Sequence, residues 1–95
     1  MKVNKQLSTL QRLLSQRSKD EVVLHTWQFE LARRIAQVLE EQDMTQTEMA
    51  ARTGLTHAQI SALLHSDANP TLATLAKIAG HLDIQILSFT NTDAV

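Results

Sequence analysis

Residues 46–65 read QTEMAARTGLTHAQISALLH, and the order of capping, small and apolar residues in this stretch describes two short helices joined by a turn. Thr45 stands three residues before Glu48. In such a Thr-x-x-Glu box the hydroxyl takes an orphan amide of the first turn while the glutamate reaches back to the amide of the cap. A helix therefore starts at residue 46. Met49, Ala50 and Thr53 fall on one face of it, and Ala50 is small enough for the next helix to cross close above. Gly54 ends the helix, because a left-handed residue there costs glycine almost nothing. Leu55 is the apolar residue of the turn, and Thr56 with Gln59 forms a second box that opens the next helix. Ile60, Leu63 and Leu64 give that helix its buried stripe, leaving His57, Ala58, Ser61 and Ala62 on the other face.

A short helix that turns small polar side chains outward, beside a second helix able to brace it on phosphates, is what reading a DNA major groove requires. The flanks agree. A long amphipathic segment precedes the pair, and Asn69-Pro70-Thr71-Leu72 opens another helix, capped by Thr71, with Leu72, Leu75, Ile78, Ala79 and Leu82 along it. The run MTQ…A…GLT…IS…L…NPTL.TL.KIA..L.I resembles the lambda-repressor-like, Cro/C1-type (XRE) helix-turn-helix family over residues 29–84. That resemblance implies an all-α DNA-binding domain. It places base reading on Thr56, His57, Ala58, Gln59, Ser61 and Ala62, with His57 foremost, and phosphate contact on Gln46, Arg52, His65, Asn69 and Thr71.

Upstream, Leu7, Leu10, Leu13 and Leu14 recur at helical spacing and predict a short amphipathic helix over residues 5–17. Ser18 and Glu21 read as a third capping box, opening a helix whose apolar face is Leu24, Trp27, Leu31, Ile35, Val38 and Leu39 until about Gln42. Asp43-Met44 is the link into the helix pair, and residues 66–70 are a loop by composition. Gly80 costs roughly 1 kcal/mol inside a helix relative to alanine, which suggests close packing or an early end. Beyond it, Ile84, Ile86 and Ser88 alternate with Gln85, Leu87 and Phe89, the pattern of a β-strand. A lone strand needs a ladder partner, and the same strand of a second subunit is the obvious one. Ile84, Ile86, Leu87 and Phe89 are thus the expected dimerisation residues, and residues 91–95 a frayed tail. The expected organisation is an N-terminal helical extension (1–25), a DNA-binding domain (26–83) and a C-terminal strand and tail (84–95).

With 95 residues the chain is long enough for one helical core and too short for two. There is no cysteine, which excludes disulfides and thiolate metal sites and is compatible with the cytoplasm. No apolar run marks a signal peptide or a membrane span. His25, His57, His65 and His81 share no metal-ligand spacing, and no cofactor is called for. Ser61 with a nearby histidine lacks the orienting group and oxyanion site of a nucleophile, so no enzyme is expected. The net charge of −1 is low for a DNA-binding protein, but charge is segregated. Residues 1–19 carry Lys2, Lys5, Arg12, Arg17 and Lys19 with no acid, and residues 20–43 hold six acids against Arg33 and Arg34. Residues 49–66 hold Arg52, two histidines and no carboxylate. An acid-free face binds phosphates through amides and helix N-termini as well as cations.

These features together predict a dimeric transcriptional repressor that places residues 56–64 in the major groove of each half of an inverted repeat and occludes a promoter. Compact chains of this type that end in a strand resemble the HigA- and HipB-type antitoxins, which bind a toxin and autoregulate their operon. A phage or mobile-element Cro-type repressor without a toxin is the alternative, and a protein-interaction module that has lost DNA binding is a second. Trp27 reads as a core or dimer-interface anchor, and Arg33 and Arg34 as a solvated face paired with Glu30 or Glu41, with contact to a backbone phosphate as the alternative. The leucine stripe of the extension is unexplained by a DNA arm and calls for a protein contact, either a toxin or the sister subunit.

Overall fold

A computed structural model describes the backbone of residues 2–89 and the side chains of residues 9, 11, 12 and 19–89. It consists of four helices: α1 (Lys2–Glu41), α2 (Gln46–Thr53), α3 (His57–Leu64) and α4 (Leu72–Leu82). No strand occurs among the described residues. α3 packs against α1 and α2, and α2 packs against α4. The core joins Ile35 and Val38 of α1, Met49 of α2, Ile60 of α3 and Ile78 of α4, all with no exposed surface, to Met44, Leu55, Leu63 and Leu82.

The two boxes around the turn form as the sequence expects. Glu48 donates its amide to Thr45 Oγ1 at 3.1 Å, and Thr45 returns its own amide to Glu48 Oε1 at 3.2 Å. At α3 the corresponding distances are 3.1 Å for Gln59 N to Thr56 Oγ1 and 2.8 Å for Thr56 N to Gln59 Oε1. Thr71 caps α4 by accepting from Thr74 N at 3.1 Å. Gly54 takes φ 77° and bonds its amide to Ala50 O at 2.9 Å, closing α2 as predicted.

The remaining helix ends use left-handed residues other than glycine. Asp43 (φ 50°) follows α1, and Met44 N then reaches Leu39 O at 2.8 Å while Asp43 N reaches Glu40 O at 3.2 Å. This pair of bonds is a Schellman closure, and it carries Met44 into the core. Ser66 (φ 62°) repeats it after α3, with Asp67 N on Ala62 O at 3.0 Å and Ser66 N on Leu63 O at 3.3 Å.

Three sequence expectations are corrected. The extension is not a separate helix capped at Ser18, since α1 runs unbroken through that position for 40 residues. Neither glycine nor proline interrupts it, and serine in mid-helix costs only a fraction of a kcal/mol, whereas stopping and restarting would orphan a set of amides and carbonyls. The 25/26 boundary consequently lies inside one helix. The leucine stripe at 7, 10, 13 and 14 and the side chain of Ser18 lie outside the described side chains, and residues 91–95 outside the described residues altogether. Secondly, Gly80 marks neither close packing nor a stop. An added Cβ there meets nothing within 4 Å, and α4 continues to Leu82 before turning at Asp83 (φ 54°).

Thirdly, residues 84–89 are not a strand. Ile84 N closes the end of α4 on Ala79 O at 3.1 Å, and Ile84 and Ile86 pack half-buried against the core of their own chain. Their alternation therefore records intrachain packing and not a ladder. Arg34 Nε donates to Gln85 O at 3.0 Å and pins the segment to α1. Of the expected dimerisation set, only Leu87 and Phe89 are exposed, at 47% and 82%. Trp27 is no core anchor, being 65% exposed where α1 has run clear of the body.

Two glycine substitutions separate these readings. Gly54→Ala should destabilise the body by about 1 kcal/mol, because alanine is strained in the left-handed region. Gly80→Ala should stabilise it by about 0.5–1 kcal/mol, since the site is open and helical. Urea denaturation of both variants measures the opposite signs. Arg34→Ala should free the residues after Asp83, seen as faster amide exchange at residues 85–88 with α2 and α3 unchanged.

Candidate nucleic-acid interface

α3 is held by one face and offers the other. Ile60 and Leu63 are sealed in the core and Leu64 packs at its edge, while His57, Ala58 and Gln59 are exposed on the first turn. Ser61 and Ala62 are half-buried, so the outward surface is concentrated at the N-terminal end of the helix. A recognition helix reads base edges with that end in helix-turn-helix docking.

Thr53 fixes the turn that aims it. Its buried hydroxyl donates to Met49 O at 2.7 Å and accepts from Leu55 N at 3.3 Å, so a single side chain ties the last turn of α2 to the linker. Leu55 then fills the core from the middle of the turn. No described buried polar side-chain atom lacks a partner.

Several expected contact residues have their polar atoms partly committed. Thr56 and Gln59 hold each other's backbone amides, which immobilises both side chains and leaves the Gln59 Nε2 group as a donor facing outward. Thr71 Oγ1 serves as the cap of α4 and lies 3.1 Å from Thr74 Oγ1. His65 directs Nδ1 at Ser61 O, 2.7 Å away, which makes that nitrogen the N–H donor. The Ser61 hydroxyl is 3.4 Å from the same nitrogen. An Nδ1 spent on a carbonyl takes no proton from serine, and the contact is a back-bond within one helix.

Gln46 is half-buried at the first position of α2, and Asn69 is exposed in the loop before α4. Arg52 is exposed and leans on α1 through Gln42, Nη1 to Oε1 at 3.4 Å.

Sequence reasoning missed the residues that brace this surface. Gln28 donates Nε2 to Ala68 O at 2.8 Å, fastening the α3–α4 loop to α1, and accepts at Oε1 from His25 Nδ1 at 3.2 Å. Gln42 donates to Leu82 O at 3.4 Å. Gln28 is a half-buried polar residue in the apolar register of α1, and that is the signal that identifies it; Gln42 is exposed just past the end of α1 and carries none. Arg34 had no such signal. It bonds Gln37 Oε1 at 3.2 Å and the Gln85 carbonyl, neutral acceptors in place of the expected glutamates.

Two capped helices about a glycine turn, the second exposed along its first turn and acid-free, define a helix-turn-helix DNA-binding domain. Residues 35–89 match the helix-turn-helix family model of the Cro/C1 type. The chain belongs to that family and is a DNA-binding transcription regulator. Neither a curated protein nor a solved structure matches it significantly. Among the described residues no group of histidines and carboxylates is placed to hold a metal ion, and no helix is long and apolar enough to cross a membrane.

The brace and the turn are separable by mutation. Thr53→Val keeps the shape but orphans the Leu55 amide, and should cost about 1–3 kcal/mol of stability in a thermal or urea melt. Gln28→Ala removes a half-buried bond from the loop only, and should cost about 0.5–1.5 kcal/mol.

Proposed function

We propose that the protein is a sequence-specific repressor that binds as a homodimer to an inverted-repeat operator, α3 of each copy entering the major groove of one half-site. The observation that carries this reading is the capped first turn of α3, exposed and acid-free, on a helix whose other face is locked into the core. His57 reads bases, with Thr56, Ala58, Gln59, Ser61 and Ala62 contributing shape and secondary contacts. Gln46, Arg52, His65, Asn69 and Thr71 hold phosphates. Promoter occlusion follows from the footprint.

His57 is exposed at the first position of α3. Replacing it by alanine should cost about 1–3 kcal/mol on the specific site and much less on random DNA. Equal losses on both, by gel shift at fixed salt, would move His57 to the backbone contacts. Arg52→Ala should weaken binding to all sequences alike and lower the salt slope by about one unit. An unchanged slope removes Arg52 from the phosphate set, and no slope at all in the parent protein turns the domain into a protein-interaction module.

We also propose that this repressor is the antitoxin of a toxin–antitoxin operon, acting in the cytoplasm and controlling its own promoter. What supports it is the compact body with a long appended helix that lies outside the DNA-reading surface. A small toxin frame adjoining this one, with growth rescued by co-expression, is the expected finding. Its absence leaves a Cro-type repressor without a toxin.

A further inference from the structure

α1 leaves the body well before its N-terminus. Leu24 and Trp27 are exposed at 38% and 65%, although they continue the register of Leu31 and Ile35. Upstream, positions 10, 13, 17, 20, 24 and 27 of the same helix recur at alternating spacings of three and four residues. They are Leu, Leu, Arg, Asp, Leu and Trp. Such a heptad seam demands a partner helix.

The order of charges along the seam selects the partner. In an antiparallel pair about a two-fold axis between residues 18 and 19, each a position meets a d position of the other helix. Leu10 then meets the partner's Trp27, Leu13 the partner's Leu24 and Arg17 the partner's Asp20. Each contact occurs twice. Residues 7–18 contain Arg12 and Arg17 and no acid, and they lie along residues 19–30 of the other copy, where Asp20, Glu21 and Glu30 outnumber Lys19. A parallel pair would set like charges side by side at both the arginine and the aspartate layers. We infer that the free half of α1 is an antiparallel docking surface for a second copy of this chain, in which Arg17 and Asp20 pair reciprocally at the two-fold axis.

This deepens the protein-contact role of the extension and is independent of DNA reading. The described part of that segment, residues 19–27, is exposed throughout. By helix rise alone, the two Ile35 residues lie roughly 50 Å apart along the paired rods, with the bodies at opposite ends.

The absence of cysteine from the sequence makes the test clean. Full-length Leu13→Cys and Leu24→Cys proteins are oxidised without DNA, singly and as an equal mixture. On one helix the two positions are roughly 16 Å apart, beyond disulfide reach, so any covalent dimer joins two chains. The mixture should cross-link and neither protein alone should. Cross-linking by each variant alone would mean a parallel pair and would overturn the proposal. Monomeric sedimentation of the parent chain with no cross-link in the mixture would assign the seam to a different protein. Charge reversal gives a second reading. Arg17→Glu and Asp20→Arg should each raise the dimer dissociation constant about tenfold, and the double variant should return to within a few-fold of the parent. Failure of the double variant to recover removes the Arg17–Asp20 pairing. Unchanged retention on non-specific DNA, measured in parallel, confirms that the body remains folded.

Discussion

Everything in the body depends on α3 being gripped along one face. Ile60 has no exposed surface, and Leu63 almost none, because α1 and α2 close on the helix from two sides. Fully burying such a side chain contributes on the order of 1.5–3 kcal/mol, which an isolated eight-residue helix needs, since helices this short do not persist alone in water. The same grip fixes which side chains face outward. Stability and the reading surface are thus set by one packing arrangement, and a cavity at Ile60 would loosen both.

The local grammar of the chain was legible wherever its meaning is settled within one turn of helix. Thr45 with Glu48, Thr56 with Gln59, the Thr71 cap and Gly54 all act across four residues or fewer, and each is found where the spacing puts it. The core stripe from Ile35 to Leu82 followed from periodicity for the same reason. What escaped was long-range or conditional. Gln28 reaches a carbonyl 40 positions away and Arg34 one 51 positions away, and a backbone acceptor leaves no trace in residue identity. Asp43, Ser66 and Asp83 occupy left-handed positions that glycine normally advertises.

The error over residues 84–89 is the most instructive. Alternation of apolar residues states that every second side chain is covered, and it is silent on what covers it. Here the core of the same chain does so, with Ile84 and Ile86 packed against it. A similar ambiguity affected Ser18, whose capping pattern is genuine as a spacing but is outweighed by 40 residues free of any breaker. Among the site residues, sequence position identified the exposed turn of α3, but it could not show that Thr56, Gln59 and Thr71 spend part of their hydrogen-bonding capacity holding helices in place.

The length of α1 gives the molecule mechanical leverage. Its last third is the wall on which α3 rests, and Gln28 marks where the body lets go. From there to Lys2 the helix extends roughly 40 Å at its standard rise, so a tilt of about 10° at the fulcrum swings the tip by roughly 7 Å. The ratio runs the other way as well. A modest force at the tip is multiplied at the fulcrum, where the hydrogen bond to Ala68 sits beside the loop leading out of α3. A stiff, one-piece arm of this kind transmits torque that two helices joined by a hinge at Ser18 would have dissipated.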